Sequence, residues 1–339
     1  MSARPAGPSS RPRPARAVPY GDRVADPERS RPPVSTATVT RVVTRLLGTV
    51  EVLGVRELAG GSYCRTFRVE LRGDAPVVVR FAPPESQLLA SERHLMRTEV
   101  AGTPLLEPVL PVPRLLASDT SHTLVDRDVV VQSWLPGVPA AEALARSGDR
   151  DALVLWEQLG ALLARVHAVG GSTYGRPGGP GSATWSQELG RRFALLGLDL
   201  ERAGLPAAGV RRCVELVSWW TDRLDERPPR LLHGDLGPGN VLVAGPHRLD
   251  VVGVVDNDRV WWGDPPADWT WYLVERRRPA QQDAFWSGYG GRPAVDEAVL
   301  GLYTARSTAE AALEAHRLGL DDRLHQHLTE LAEQVDRVA

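Results

Sequence analysis

The sequence of 339 residues predicts an α+β protein in two lobes, a small β-rich one followed by a large helical one. Strand-length runs of β-branched residues crowd between Glu51 and Trp134. Beyond Pro136-Gly137 the apolar residues recur at helical spacing instead. The length also exceeds that of one ordinary domain.

Residues 1–33 hold eight prolines and seven arginines and almost no large apolar residue, so a disordered tail is expected there. It has no apolar stretch of the kind a secretory signal carries. Val39, Val42, Val43, Leu46 and Leu47 then follow the spacing of an amphipathic helix, with Ser35 as its N-cap and Gly48 as its stop. Strands are expected over Glu51–Leu58, Tyr63–Leu71 and Pro76–Ala82. The first two are joined by Ala59-Gly60-Gly61-Ser62. A helix is expected over 85–101, and two further strands over Arg114–Ala117 and Arg127–Trp134. This lobe is read as 34–134 and the helical lobe as 135–339, with a linker near Ser133–Gly137. In the second lobe, helices are expected at 150–168, 185–205 and 207–226 and over most of the stretch from 267 onward. Short strands flank residues 233–240.

Composition limits the chemistry. Apolar residues make up 42% and charged residues 24%, and the net charge is −2, which argues against nucleic acid or an anionic membrane as a partner. No apolar run approaches the ~20 residues of a membrane span. The two cysteines, Cys64 and Cys213, form no CxxC pair, which fits a reducing, cytoplasmic setting. The chain has no lysine and no isoleucine, and Asn240 and Asn257 are its only asparagines. A GC-rich genome explains all three counts. The missing lysine excludes Schiff-base chemistry and a Walker-type P-loop.

The chemistry concentrates in Leu231-Leu232-His233-Gly234-Asp235-Leu236-Gly237-Pro238-Gly239-Asn240, followed by Asp256 at the end of a β-branched run and by Gly263-Asp264-Pro265. An Asn carbonyl and an Asp carboxylate are hard oxygen ligands suited to Mg²⁺. A loop carboxylate beside them can orient a hydroxyl and accept its proton, which is most of what phosphoryl transfer asks of a protein. The pattern His233-x-Asp235-x-x-x-x-Asn240, with Asp256 and the later Gly-Asp-Pro, resembles the aminoglycoside phosphotransferase family. That family's fold is similar to those of protein kinases and choline kinases. The resemblance covers most of residues 50–330. It implies a protein-kinase-like fold with a small antiparallel sheet in the N-terminal lobe. It also implies Asp235 as catalytic base, Asn240 and Asp256 as Mg²⁺ ligands, His233 as a brace for the loop and Asp264 as a helix cap. Asn257 departs from the family, which usually has an aromatic residue there; Asp258 is read as a turn residue.

In the first lobe the resemblance implies that Gly60, Gly61 and Ser62 approach the phosphates of ATP or GTP. Arg80 stands where the family carries a lysine and can fork onto phosphate oxygens. Its partner is expected to be Glu99, with Glu92 as the alternative. The adenine ring is expected to meet backbone near Ser133 and Trp134.

The acceptor pocket should lie opposite Asp235. Trp261, Trp262, Trp269, Trp271 and Trp286 cluster in that part of the sequence, and one of the adjacent pair Trp261-Trp262 is a candidate to face ligand. The acidic candidates for a polycation are Asp268, Glu310, Glu314, Asp321 and Asp322, against basic Arg276, Arg277 and Arg278. This balance does not favour a polycation. The expected activity is transfer of the γ-phosphoryl group to a hydroxyl of an antibiotic or related metabolite, by a monomer or homodimer. A metabolic kinase for homoserine, choline or a sugar and a non-catalytic kinase-like module remain as alternatives. A metallohydrolase using His233, Asp235 and Asp256 is remote, because the usual paired-histidine ligands are absent; His316, His325 and His327 read as surface helix residues.

Overall fold

The computed structural model describes residues 32–61, 63–245, 248–269 and 277–338. Ser62, Trp271, Arg276 and all but the last two residues of the expected tail lie outside the described residues. The first helix, α1 (Thr36–Leu47), starts at the expected cap: the Thr38 amide donates to the Ser35 hydroxyl at 3.1 Å, and Gly48 ends the helix at φ +85°. Five strands follow, β1 (Val52–Glu57), β2 (Arg65–Leu71), β3 (Val77–Phe81), β4 (Leu115–Asp119) and β5 (Val129–Ser133). They form an antiparallel sheet in the order β1-β2-β3-β5-β4.

The two-residue period of β3 sorts its side chains. Val77, Val79 and Phe81 join Val39, Val42 and Val43 of α1 in one core. Arg80 belongs to the opposite face, where its cross-strand neighbour Val130 packs with Leu95 and Met96 of α2 (Leu95–Leu106).

The helix expected over 85–101 is shifted. Residues 85–87 and 90–92 form two 3-10 turns, His94 takes a left-handed φ of 69°, and α2 begins only at Leu95. The cause is tertiary. The Ala90 and Ser91 amides donate to the Asp199 carboxylate at 2.7 and 2.8 Å, which holds this strap extended across the second lobe.

The second lobe opens with β6 (Val138–Pro139), α3 (Ala140–Leu144) and α4 (Asp149–His167), followed by α5 (Trp185–Arg202), α6 (Ala208–Trp219) and α7 (Thr221–Leu224). Then come β7 (Arg230–Leu232), β8 (Val241–Gly245), β9 (Arg248–Val254) and β10 (Trp261–Gly263). The chain closes with α8 (Pro279–Tyr289), α9 (Glu297–Arg317) and α10 (Asp321–Val338). Strands β6, β8 and β9 make one small sheet, and β7 pairs with β10. Pairing with β7 turns the expected Trp261-Trp262 loop into a strand. Helices α4 and α8 cross at two glycines: a Cβ on Gly160 would lie 2.0 Å from the Phe285 carbonyl oxygen, and one on Gly288 1.9 Å from that of Glu157. Among the described residues no helix is long and apolar enough to cross a membrane.

Candidate active site

The loop between β7 and β8 carries Asp235, and a buried carboxylate shapes it. Asp268 accepts the His233 amide at 2.7 Å and the Gly234 amide at 2.8 Å. His167 lies 3.2 Å from the same carboxylate and 2.8 Å from the Tyr289 hydroxyl. Burial works against the Asp268 charge, but these donors outweigh it and hold the carboxyl below its ordinary range. Gly234 sits at φ +81°, where an added Cβ would lie 2.3 Å from the Arg259 carbonyl oxygen, so the turn needs glycine. Beyond it, the Asp235 amide donates to His233 Nδ1 at 3.3 Å and Asn240 Nδ2 donates to the Asp235 carbonyl at 2.9 Å.

The Asp235 carboxylate is left open, with 52% of its side chain exposed. Crowding by the surrounding protein pushes its pKa up to about 7. Arg259, 3.8 Å away, opposes the shift, and Asp256 and Glu314 reinforce it. Asp256, in the left-handed region at φ 64°, follows β9. The Val255 amide donates to the Asn240 carbonyl at 2.9 Å, which ties the two segments together.

Arg80 joins the lobes. Its guanidinium meets Glu99 of α2 at 2.5 Å, Asp258 at 3.3 Å and also Asp256. Glu99 is fully buried and takes a further hydrogen bond from Gln132 at 2.9 Å. Burial disfavours every charge in this group. The three carboxylates nonetheless raise the Arg80 pKa, and Arg80 and Arg259 lower that of Asp256. Burial and Asp256 together push Asp258 up. Arg80 is therefore part of a buried ion network and no surface charge. The other glutamate, Glu92, pairs with Arg317 at 2.5 Å.

The structure thus brings Arg80, Glu99, Asp256, Asn240 and Asp235 to one region. Gly60 and Gly61 form the β1–β2 turn at φ +102° and +71°. At Ser133 and Trp134 the amides donate to the Arg114 and Pro76 carbonyls at 3.0 and 3.3 Å, so neither is left over for an adenine ring. Contacts to a base from this segment would have to use other groups.

Several expectations are corrected. Asp264 caps nothing through its side chain; it accepts the Tyr303 hydroxyl at 2.8 Å. Asp268 is the loop's latch, out of reach of a polycation. Trp261 is core, 1% exposed and 4.9 Å from the Trp185 ring, while Trp262 packs beside the other core and covers Gly171. His327 is buried against Glu330. Sequence reasoning missed Arg176, Asp199 and Arg259, whose roles come from contacts distant in sequence. Asp268 carried a signal, since it is a lone carboxylate between Ala267 and Trp269.

The donor set suits Mg²⁺. Among the described residues no group of three or more His, Cys, Asp or Glu forms a protein-only metal cage. Mg²⁺ commonly takes one or two carboxylates and fills its shell with water and phosphate oxygens. Asp256 and Asn240 provide hard oxygens of that kind beside the Asp235 loop.

Comparison with known proteins agrees with this architecture. No curated protein matches the sequence. Among solved structures, the GDP and kanamycin complex of APH(2")-IIia superposes with a TM-score of 0.58 at 18% identity, over 89% of this chain and 99% of that one. Aminoglycoside phosphotransferase APH(4)-Ia gives 0.62 at 16% identity, over 90% and 100%. A thermostable mutant of that enzyme, in ternary complex with AMP-PNP and hygromycin B, gives 0.61 at 16%, over 89% and 98%. At these identities the likeness establishes the kinase-like fold. The sequence model of the phosphotransferase enzyme family, APH, matches residues 54–303, most of the chain. With the fold in agreement, the chain belongs to that family, as a phosphotransferase with an alcohol group as acceptor.

Proposed function

We propose that the protein is a Mg²⁺-dependent kinase that transfers the γ-phosphoryl group of ATP or GTP to a hydroxyl of an antibiotic or related metabolite. Asp235 is its base. The observation that carries this reading is the open Asp235 carboxylate, its pKa pushed up to about 7, on a loop latched by Asp268 and beside the Arg80–Glu99–Asp256 network. That solved structures of this fold hold GDP with kanamycin, or AMP-PNP with hygromycin B, supports the choice of donor and acceptor class.

In this reading residues 34–134 hold the nucleotide and residues 135–339 the acceptor. Arg80, fixed by Glu99, turns its remaining donors to phosphate oxygens, and the backbone at Gly60 and Gly61 approaches them, with Ser62 as a further phosphate contact. Asn240 and Asp256 would hold Mg²⁺, which supplies charge neutralisation on the phosphates. Asp235 orients the acceptor hydroxyl and takes its proton as the oxygen bonds to the γ-phosphorus. The bond from that phosphorus to the bridging oxygen breaks, and the nucleoside diphosphate leaves with the electron pair. The Arg80–Glu99 pair also answers the missing lysine: the cation that a catalytic site needs is present, which favours an enzyme over a binding module.

Asp235→Asn tests the assignment. Losing a general base should lower kcat by ~10²–10⁴, while MgATP or MgGTP still raises the melting temperature. Near-normal kcat in the variant would remove Asp235 from the role.

A further inference from the structure

The surroundings of Asp235 are arginine-rich, and their charges are only partly matched. Arg259 stands 3.8 Å from Asp235. Arg176 spends its guanidinium on two backbone carbonyls of the strap, those of Ser91 and Arg93. Among the described residues no carboxylate lies within ion-pair distance of it. Arg192 and Arg306 both lie against the Trp261 ring, at 3.6 and 4.9 Å. Arg306 is 5% exposed, yet among the described residues its Nε has no acceptor, and neither does Nη2 of Arg192.

The nearby carboxylates are engaged. Glu188 is shared by Arg191 and Arg192 at 2.7 and 2.9 Å, Glu310 is taken by Arg306 at 2.9 Å, and Glu92 by Arg317. Glu314 adds one exposed carboxylate at the edge. Burial raises the Glu310 pKa, but Arg306, Arg259, Arg192 and Arg176 together bring it below its ordinary value, so this carboxylate lies among all four. The arginines also repel one another. Burial first, and then Arg176 and Arg306, lower the Arg192 pKa to about 9. Burial, Arg259 and Arg191 lower that of Arg176. Arg259 is the best matched of the group, with Asp235, Glu310, Asp258 and Glu92 raising its pKa against the effect of burial. Arg192, with its unused donor, and Arg176, with its like-charged neighbours, are stabilised by an oxyanion and destabilised by another cation.

We propose that the acceptor carries an oxyanion, a carboxylate or a phosphate ester, next to the hydroxyl it presents to Asp235, and that Arg176, Arg192 and Arg259 receive it. This rests on the kinase reading and narrows its substrate class to hydroxylated anions, away from polycations.

The test is calorimetry on full-length protein already saturated with MgADP, so that the nucleotide site is filled. The probes are D-glucuronate, D-glucose 6-phosphate, D-glucose and D-glucosamine, which share a ring and differ in charge. One or both anions should bind at least tenfold more tightly than glucosamine, and the stronger anion shows which oxyanion is read. Arg176→Gln should weaken that anion about tenfold. Glu310→Gln, which removes a competing carboxylate without touching the strap, should tighten it several-fold. Glucosamine binding as well as the anions, or no binding of either anion with MgADP in place, would overturn the proposal. Failure of MgADP itself to bind would overturn the kinase reading first.

Discussion

Arg80 shows how one residue carries both stability and function. It faces Glu99, which has no access to solvent. Removing one partner of a buried ion pair strands the other, at a cost of ~3–5 kcal/mol. Arg80→Ala should therefore lower the denaturation free energy by about that amount and also weaken nucleotide binding. Urea titration and nucleotide titration of the same variant would separate the effects. Loss of nucleotide binding at unchanged stability would mean that the guanidinium acts only on phosphate. The strand was legible as the β-branched run Val77-Val78-Val79, and Arg80 was placed by the resemblance, at the family's lysine position. Which glutamate it met was decided by where α2 begins, and sequence periodicity places such boundaries poorly. Glu99 lies in α2 and meets Arg80, whereas Glu92 lies in the strap and pairs with Arg317.

At the level of elements, the loop from His233 to Asn240 is held by a residue about thirty positions downstream. Asp268 fixes two consecutive amides and pairs with His167. Because its carboxyl is held below the ordinary range, its contribution to stability is present above the unfolded-state value of about 4. That contribution is lost as pH falls through the folded value. Asp268→Asn should be less stable than the parent at pH 7, and the gap should narrow in acid. Melting curves from pH 3 to 7 would show it. A gap that did not change with pH would remove the carboxylate charge from the account. The motif at 231–240 was legible because its residue types and spacings are local. The latch was not, since the sequence offered Asp268 equally well as an acceptor-pocket acid. Strand β10 escaped notice for a similar reason: three residues with two tryptophans give no period to read.

Across the whole molecule, the strap decides how the lobes relate. Asp199 holds the Ala90 and Ser91 amides, Arg176 holds two carbonyls of the same segment, and Arg317 holds Glu92. Asp199→Ala would leave two amides unsatisfied, at ~1–3 kcal/mol each where they are buried. Limited proteolysis should then cut faster within 85–94, with the rest of the chain still folded. Equal cleavage of parent and variant would show that the amides contribute little. The two-lobed plan was legible from the change of period near Pro136, whereas the strap was read as helix because its docking partner lies more than a hundred residues away. The strap and the covalent connection at Ser133–Val138 are joined as fastenings by the Arg80 contacts to Asp256 and Asp258 and by Leu106, Leu110 and Val112, which share a core with Leu155, Leu159 and Val254. A body fastened at so many places has little freedom to swing, so a chain nicked in the strap would still hold its two halves together.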